Sequence, residues 1–146
     1  MTTNNLTQKL QYCLFSLRLG VFVVMLMWTL DKFINPQHAA AVFNNFYLIE
    51  GLGPAVFTVL ATLELILILG FMSGLFKKWT YGLVLLLHAV STLSAWQQYL
   101  GFGNLLFFAA WPMLAACWTL FMLREEDTLF TLGSGVEEPD ALPYSQ

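Results

Sequence analysis

The stretch Pro54-Ala-Val-Phe-Thr-Val-Leu-Ala-Thr-Leu-Glu64-Leu-Ile-Leu-Ile-Leu-Gly70 decides the fold class of this chain. It is almost wholly apolar and continues to Phe76, so a helix formed by it is long enough to cross the hydrocarbon layer of a bilayer, about 30 Å thick. One carboxylate, that of Glu64, lies near its middle. An ionisable side chain in hydrocarbon is costly, and it is retained where it faces protein, pairs with a cation or serves a function. The partners of Glu64 are therefore the first functional question.

The composition of the whole chain indicates an integral membrane protein. Of its 146 residues, 58% are hydrophobic and only 10% are charged, whereas soluble domains carry about 25% charged residues. A soluble protein of this length would leave too much apolar surface exposed to water. The six Lys and Arg residues are spread along the chain, so there is no basic stripe of the kind that binds nucleic acid.

Four apolar runs predict four transmembrane helices, because each has about 20 residues or slightly more. Backbone groups in lipid must be hydrogen-bonded within the segment, which makes each run helical. Short turns between successive runs favour antiparallel neighbours. We therefore predict an all-α fold over residues 1–124, an antiparallel bundle of four transmembrane helices at 12–33, 54–76, 79–99 and 104–123.

Two segments lie outside the predicted bundle. Residues 35–53 are rich in apolar and aromatic side chains, so we expect an external loop that forms a short helix or a re-entrant cap on the mouth of the bundle. Residues 125–146 are acidic and contain Gly-Ser-Gly and two prolines. That composition is typical of a disordered tail.

The basic residues orient the predicted helices. With the N-terminus in the cytoplasm, Lys32 lies at the outer face of the membrane. The other five basic residues then lie at or near the inner face: Lys9, Arg18, Lys77, Lys78 and Arg124. Cytoplasmic loops carry an excess of Lys and Arg, so this distribution predicts that both termini are cytoplasmic.

The first predicted helix carries a polar stripe that includes Arg18, Thr29 and Lys32 at helical spacing. Such a stripe faces the protein rather than lipid. Counting the helical rise from the membrane faces puts Arg18 within reach of Glu64, so we predict an ion pair between these two side chains. Two roles stay open for this pair: it locks two helices together, or it takes part in ligand binding or proton transfer.

His88 lies near the middle of the third predicted helix, at about the depth of Glu64. Two interpretations stay open for it. It relays protons or holds a quinone carbonyl together with Glu64, or it makes an ordinary hydrogen bond between helices. One His and one Glu are too few for a metal site. Cys13 and Cys117 lie far apart in the sequence and form no CxxC motif, so we expect buried free thiols.

Several short motifs follow one another in an order that is more specific than any one of them: Arg18-Leu-Gly20, Lys32-Phe33, Pro36, Gly53-Pro54, Glu64 and Leu69-Gly70. In a four-helix chain of this length they resemble the DoxX family of bacterial inner-membrane proteins, over about Leu17 to Arg124. The family often has a glycine before its lysine, and this chain departs from that pattern at residues 28–31. The resemblance implies a four-helix inner-membrane protein whose polar family residues are Arg18, Lys32 and Glu64.

Related proteins are described as small subunits of a thiosulfate:quinone oxidoreductase and as membrane partners in redox or oxidative-stress complexes. The resemblance therefore implies an accessory subunit of a membrane redox system, with quinone as the candidate cofactor and an oxidoreductase subunit or other membrane proteins as partners. The residues offer no self-contained catalytic constellation. The candidate ligand or ion-pair residues are Arg18, Lys32, Glu64 and His88. The alternatives are a small proton-coupled transporter, as a homo-oligomer, and a purely structural partner of other membrane proteins.

Overall fold

The computed structural model describes residues 3–132, with side chains described from Asn5 onward. Within this range the chain forms helices and turns and no strand, which confirms the all-α prediction. The helices are α1 (Thr3–Ile34), α2 (Pro36–Val42), α3 (Pro54–Met72), α4 (Lys77–Ser94) and α5 (Ala110–Met122). A π-helical turn, Phe43–Tyr47, follows α2, and two 3₁₀ segments, Trp96–Leu100 and Leu105–Ala109, lie between α4 and α5.

Three helical stretches of the described chain are long and apolar enough to cross a membrane: Asn5–Ile34, Pro54–Met72 and Leu105–Met122. The helix α4 has 18 residues, but it begins with two lysines and contains His88 and several hydroxyl side chains. Its hydropathy is accordingly lower than that of the other three stretches. The molecule thus has the composition of a membrane protein along α1, α3 and the 105–122 stretch.

The observed helix ends follow local backbone chemistry. Pro36 and Pro54 each lie in the first turn of a helix, where the missing N–H has no partner to lose. The helix α3 ends at Met72 rather than near Phe76, because Gly74 adopts a φ of 66°, which favours glycine. A Cβ atom at Gly74 would also lie only 2.5 Å from the Thr131 side chain. The turn after α3 is therefore shaped by its contact with the end of the described chain.

The four long helices, α1, α3, α4 and α5, pack so that each contacts two of the others. The helix α1 contacts α3 and α5, and α4 contacts the same two helices. Buried side chains from all four helices form one apolar core: Leu14, Val21, Met25, Ile68, Phe71, Tyr81, Val84, Cys117 and Leu120. The helix α2 packs on α1 and α3, and the π-helical turn contacts α4. The prediction of a short helix within residues 35–53 is confirmed by α2.

Residues 125–132 fold back onto the helices instead of leaving them. Asp127 is completely buried, and the Leu132 N–H donates to the Ser73 carbonyl at 2.8 Å. The prediction of a disordered tail is therefore wrong for this part of residues 125–146. The apolar side chains of this segment contribute little to this arrangement, since Phe130 and Leu132 remain 74% and 75% exposed. Residues 133–146 lie outside the described range.

Candidate functional site

Two clusters of charged side chains lie along α1. The first, which we call the Arg18 cluster, consists of Arg18, Tyr81 and Asp127. The second, the Lys32 cluster, consists of Lys32 and Glu64. Arg18 and Lys32 are separated by about 21 Å along the helix, at 1.5 Å per residue. The two clusters are therefore independent sites, and they differ in burial and in surroundings.

The Arg18 cluster is sealed from solvent. Nη1 of Arg18 lies 3.0 Å from Oδ2 of Asp127, and both side chains are 0% exposed. The same nitrogen donates to the Tyr81 hydroxyl at 3.1 Å, and that hydroxyl donates to Oδ2 of Asp127 at 2.7 Å. Nη2 of Arg18 donates to the Leu129 carbonyl. Buried ions need such a set of partners, because each has lost its hydration.

Gln11 attaches the same returning segment to α1. Its Oε1 accepts the N–H of Thr128 at 2.9 Å and the N–H of Leu129 at 3.0 Å. Its Nε2 donates to the Glu126 carbonyl. The extension of α1 back to Thr3, beyond the predicted start at residue 12, continues the helix past Gln11. Gln11 and the Arg18 cluster thus attach residues 125–132 to the helices. We therefore assign the Arg18 cluster a structural role.

The Lys32 cluster joins α1 to α3. Nζ of Lys32 lies 2.7 Å from Oε2 of Glu64, and the two side chains are 17% and 13% exposed. Nζ also donates to the Trp28 carbonyl at 3.2 Å. This pair is partly accessible, in contrast to the pair between Arg18 and Asp127.

The predicted ion pair between Arg18 and Glu64 is therefore wrong. The predicted pair requires that the end of α1 and the start of α3 lie at one level. Lys32 is two residues before the end of α1, whereas Glu64 is ten residues after Pro54. Their contact means that α3 begins roughly two turns beyond the end of α1. The long connection through α2 allows this offset, and it brings Lys32 rather than Arg18 to Glu64.

A polar contact at the end of α1 anchors α2. Nδ1 of His38 lies 2.6 Å from Oδ2 of Asp31, and Nδ2 of Asn35 donates to the other carboxylate oxygen at 3.2 Å. His38 is largely exposed, with a side chain that is 64% accessible. The contact fixes the direction in which the chain leaves α1, and it places α2 over the Lys32 end of the molecule.

His88 is buried in α4 and tied to α5. Its Nε2 lies 3.0 Å from the Ala110 carbonyl oxygen and 3.3 Å from the Thr92 hydroxyl. The Trp28 ring stacks on the imidazole with centroids 5.9 Å apart. Nδ1 of His88 is buried and has no hydrogen-bond partner among the described residues. His88 therefore makes a hydrogen bond between helices, which is one of the two interpretations left open, and one of its ring nitrogens has no partner among the described residues.

A cavity of about 1240 Å³ lies between the helices and beneath the segment formed by α2 and the π-helical turn. Most of its wall is apolar, with contributions from α1, α3, α4 and α5. Some of its wall side chains, such as Leu63 and Leu106, are more than half exposed. The cavity is consequently open at its side rather than sealed.

Three of the four candidate residues lie on this cavity. Lys32, Glu64 and His88 all line it, so the structure brings together the residues that α1, α3 and α4 contribute separately. Arg18 is not among the lining residues and belongs to the buried cluster described above. An apolar cavity with a few polar groups is the usual form of a small-molecule site.

Sequence reasoning missed three residues that shape these sites: Tyr81, Asp127 and Trp28. Asp127 falls in the segment that its acidic composition predicts to be disordered. A sequence signal against disorder is the apolar pair Leu129-Phe130, which follows Thr128 after the acidic triplet and is unusual for a disordered segment. Trp28 lies at the outer end of the first predicted helix, and its indole stacks on the imidazole of His88.

No protein-family model, curated protein or solved structure matches this chain. The DoxX resemblance accordingly rests on the sequence motifs alone. The function is therefore inferred from the residues that line the cavity and from their chemistry.

Proposed function

We propose that this chain is a DoxX-like inner-membrane protein that serves as an accessory subunit of a membrane redox system. In this proposal the cavity beside Lys32 and Glu64 holds a quinone-type ligand. The single observation that carries the proposal is the combination of a large apolar cavity with an ion pair and a histidine on its wall. A quinone needs both features, because its ring and tail are apolar and its two oxygens accept hydrogen bonds.

The proposal includes α4 as a fourth membrane-spanning helix in an antiparallel bundle. Two features of α4 support this. It packs against α3 and α5, and its polar face is turned inward, since four of its polar side chains are buried: Thr80, Tyr81, His88 and Thr92. Leu86 and Leu93 are at least 56% exposed, so the outward face is apolar and suits lipid. The distribution of Lys and Arg then puts both termini in the cytoplasm.

The ligand fits the cavity in size and polarity. A volume of about 1240 Å³ exceeds the roughly 300–1,000 Å³ of common ligand pockets, which leaves room for a ring and part of an isoprenoid tail. The open side of the cavity allows the rest of the tail to extend into the bilayer. The Lys32 ammonium has three N–H donors, and the contacts to Glu64 and Trp28 account for two of them. The third is suited to a ligand oxygen.

An accessory role follows from the chemistry of the lining residues. They can hold and orient a quinone, but electron transfer needs a redox group, which we assign to a partner subunit. Cys13 and Cys117 are free and are not paired with each other; Cys117 is buried as predicted, whereas the prediction of a buried thiol is wrong for Cys13, which is exposed. The chain thus positions the ligand in the membrane while its partner supplies or takes the electrons.

Proton-coupled transport is the second candidate function, and the position of Glu64 favours it. Its carboxylate lines the open cavity and remains 13% exposed, so it is within reach of a substrate held there. Flux that depends on a proton gradient in vesicles containing only this protein would favour transport over ligand holding.

The proposal is tested by titrating the protein in lipid nanodiscs with a short-chain benzoquinone while tryptophan fluorescence is recorded. Of the five tryptophans, all within the described part of the chain, Trp28 is the one that lines the cavity. We expect saturable quenching in the native protein that is lost in Trp28→Phe. The matched control Trp118→Phe removes an exposed indole outside the cavity and should keep the saturable component. Quenching that never saturates, or that is equal in both variants, would contradict the proposal.

A further inference from the structure

The hydrogen bonds of His88 determine which of its ring nitrogens carries the proton. Nε2 lies 3.0 Å from the Ala110 carbonyl oxygen, and a carbonyl oxygen only accepts hydrogen bonds. The Thr92 hydroxyl is also near Nε2, at 3.3 Å, but it donates its own proton to the His88 carbonyl at 2.8 Å. Both neighbours therefore accept from Nε2, which must carry the N–H.

The other nitrogen, Nδ1, then presents a lone pair. A proton on Nδ1 as well would make an imidazolium whose second N–H is buried without a partner, which is unfavourable. Nδ1 is buried and has no acceptor or donor beside it among the described residues. The Trp28 ring covers a face of the imidazole, whereas the Nδ1 lone pair lies in the plane of the ring. A ligand in the cavity, whose wall includes His88, therefore reaches Nδ1 only in that plane, and only after the side chains that bury the atom move apart.

A buried acceptor without a partner is unfavourable, so it favours any occupant that brings a donor. A ligand hydroxyl group that reaches Nδ1 supplies the missing hydrogen bond, whereas a ligand group without a donor leaves the lone pair unpaired.

We propose that His88 makes the cavity selective for the reduced, hydroxyl-bearing form of the ligand, the quinol, over the quinone. This inference rests on the proposed function. The quinol donates one O–H to Nδ1 of His88, whereas a quinone carbonyl would place its own lone pairs against that nitrogen. Lys32 does not discriminate, because its ammonium donates equally well to a carbonyl or a hydroxyl oxygen. His88 is thus the residue that distinguishes the two oxidation states.

The test measures the binding of three ligands of one ring type under anaerobic conditions: a short-chain benzoquinol, the matching benzoquinone and the dimethyl ether of the quinol. The ether keeps the ring and both oxygens, but each O–H donor is replaced by a methoxy group. We expect the quinol to bind about tenfold more tightly than either of the others, the ratio given by one hydrogen bond. Equal affinities, or tighter binding of the quinone or the ether, would overturn the selectivity while leaving the proposed function intact.

A protein variant provides the complementary arm. In His88→Phe the ring remains but the acceptor is removed, so the quinol should lose about tenfold in affinity and the quinone should lose little. A retained preference for quinol in this variant would overturn the inference. The three-ligand comparison uses the native chain, so it still decides if the variant fails to fold. Saturable binding of none of the three ligands would overturn the proposed function together with the inference.

Discussion

The two ion pairs of α1 have the same kind of chemistry and opposite surroundings. Arg18 and Asp127 are 0% exposed and share a tyrosine hydroxyl between them. Lys32 and Glu64 are 17% and 13% exposed and border an open cavity. The first pair has no path to a ligand, while the second keeps one. The role of a charged residue in an apolar helix therefore depends on whether its ion pair is buried or accessible. Its depth along the helix does not decide that role.

The surroundings also set the energetic consequence of breaking each pair. Removing one partner of a buried pair leaves the other charge without compensation in an apolar site, which is strongly destabilising. Removing one partner of an accessible pair leaves a charge that water can solvate, and such pairs contribute little to stability. Variants of the two clusters should therefore separate loss of fold from loss of binding.

The largest expected effect is on stability, at the Arg18 cluster. Asp127→Ala leaves the Arg18 guanidinium buried without its counterion, so the free energy of unfolding should fall by about 3–5 kcal/mol. The measurement is a denaturant titration in detergent micelles. Glu125→Ala is the matched control, because Glu125 pairs with Arg124 with a side chain that is 76% exposed, and it should shift stability by less than about 0.5 kcal/mol. If both variants were equally stable, the Arg18 cluster would not stabilise the fold.

The smaller expected effect is at the Lys32 cluster. Glu64→Gln keeps the shape and an acceptor oxygen for Lys32, and both side chains remain partly accessible. We expect the free energy of unfolding to change by about 1 kcal/mol or less, measured in the same titration as Asp127→Ala. A loss as large as that of Asp127→Ala would remove the contrast between the two clusters and would make Glu64 a structural residue.

The existence of the helices was predictable from the sequence, and two of their starts depend on local chemistry. Pro36 and Pro54 mark helix starts, and both are visible as breakers between apolar runs. The membrane character of α1, α3 and the 105–122 stretch follows from composition alone. The start of α1 at Thr3, the end of α3 at Met72, the end of α4 at Ser94 and the start of α5 at Ala110 differ from the predicted bounds. For α3 the reason is that the turn after Met72 contacts Thr131, which lies far away in the sequence.

The sequence predicted residues of the candidate site, but it did not predict which of them contact each other. Glu64 and His88 were identified because polar groups in apolar runs need a reason to persist. Their partners depend on how far one helix is offset from the next, and no periodicity in the sequence encodes that offset. The contact of Lys32 with Glu64 depends on the long connection through α2, because this connection allows α3 to begin beyond the end of α1. The contact of His88 with the Ala110 carbonyl involves the backbone, so side-chain patterns carry no sign of it.

In the proposal, the Lys32 cluster binds a ligand and the Arg18 cluster stabilises the fold. The most direct measurement is the affinity of a short-chain benzoquinol for Lys32→Met and Tyr81→Phe in nanodiscs. Lys32→Met removes the donor on the cavity wall and should weaken binding by about tenfold or more, since a hydrogen bond from a charged donor contributes about 1.5–3 kcal/mol. Tyr81→Phe disturbs the buried cluster and should bind the quinol with native affinity. Native affinity in Lys32→Met, or an equal loss in both variants, would contradict the account.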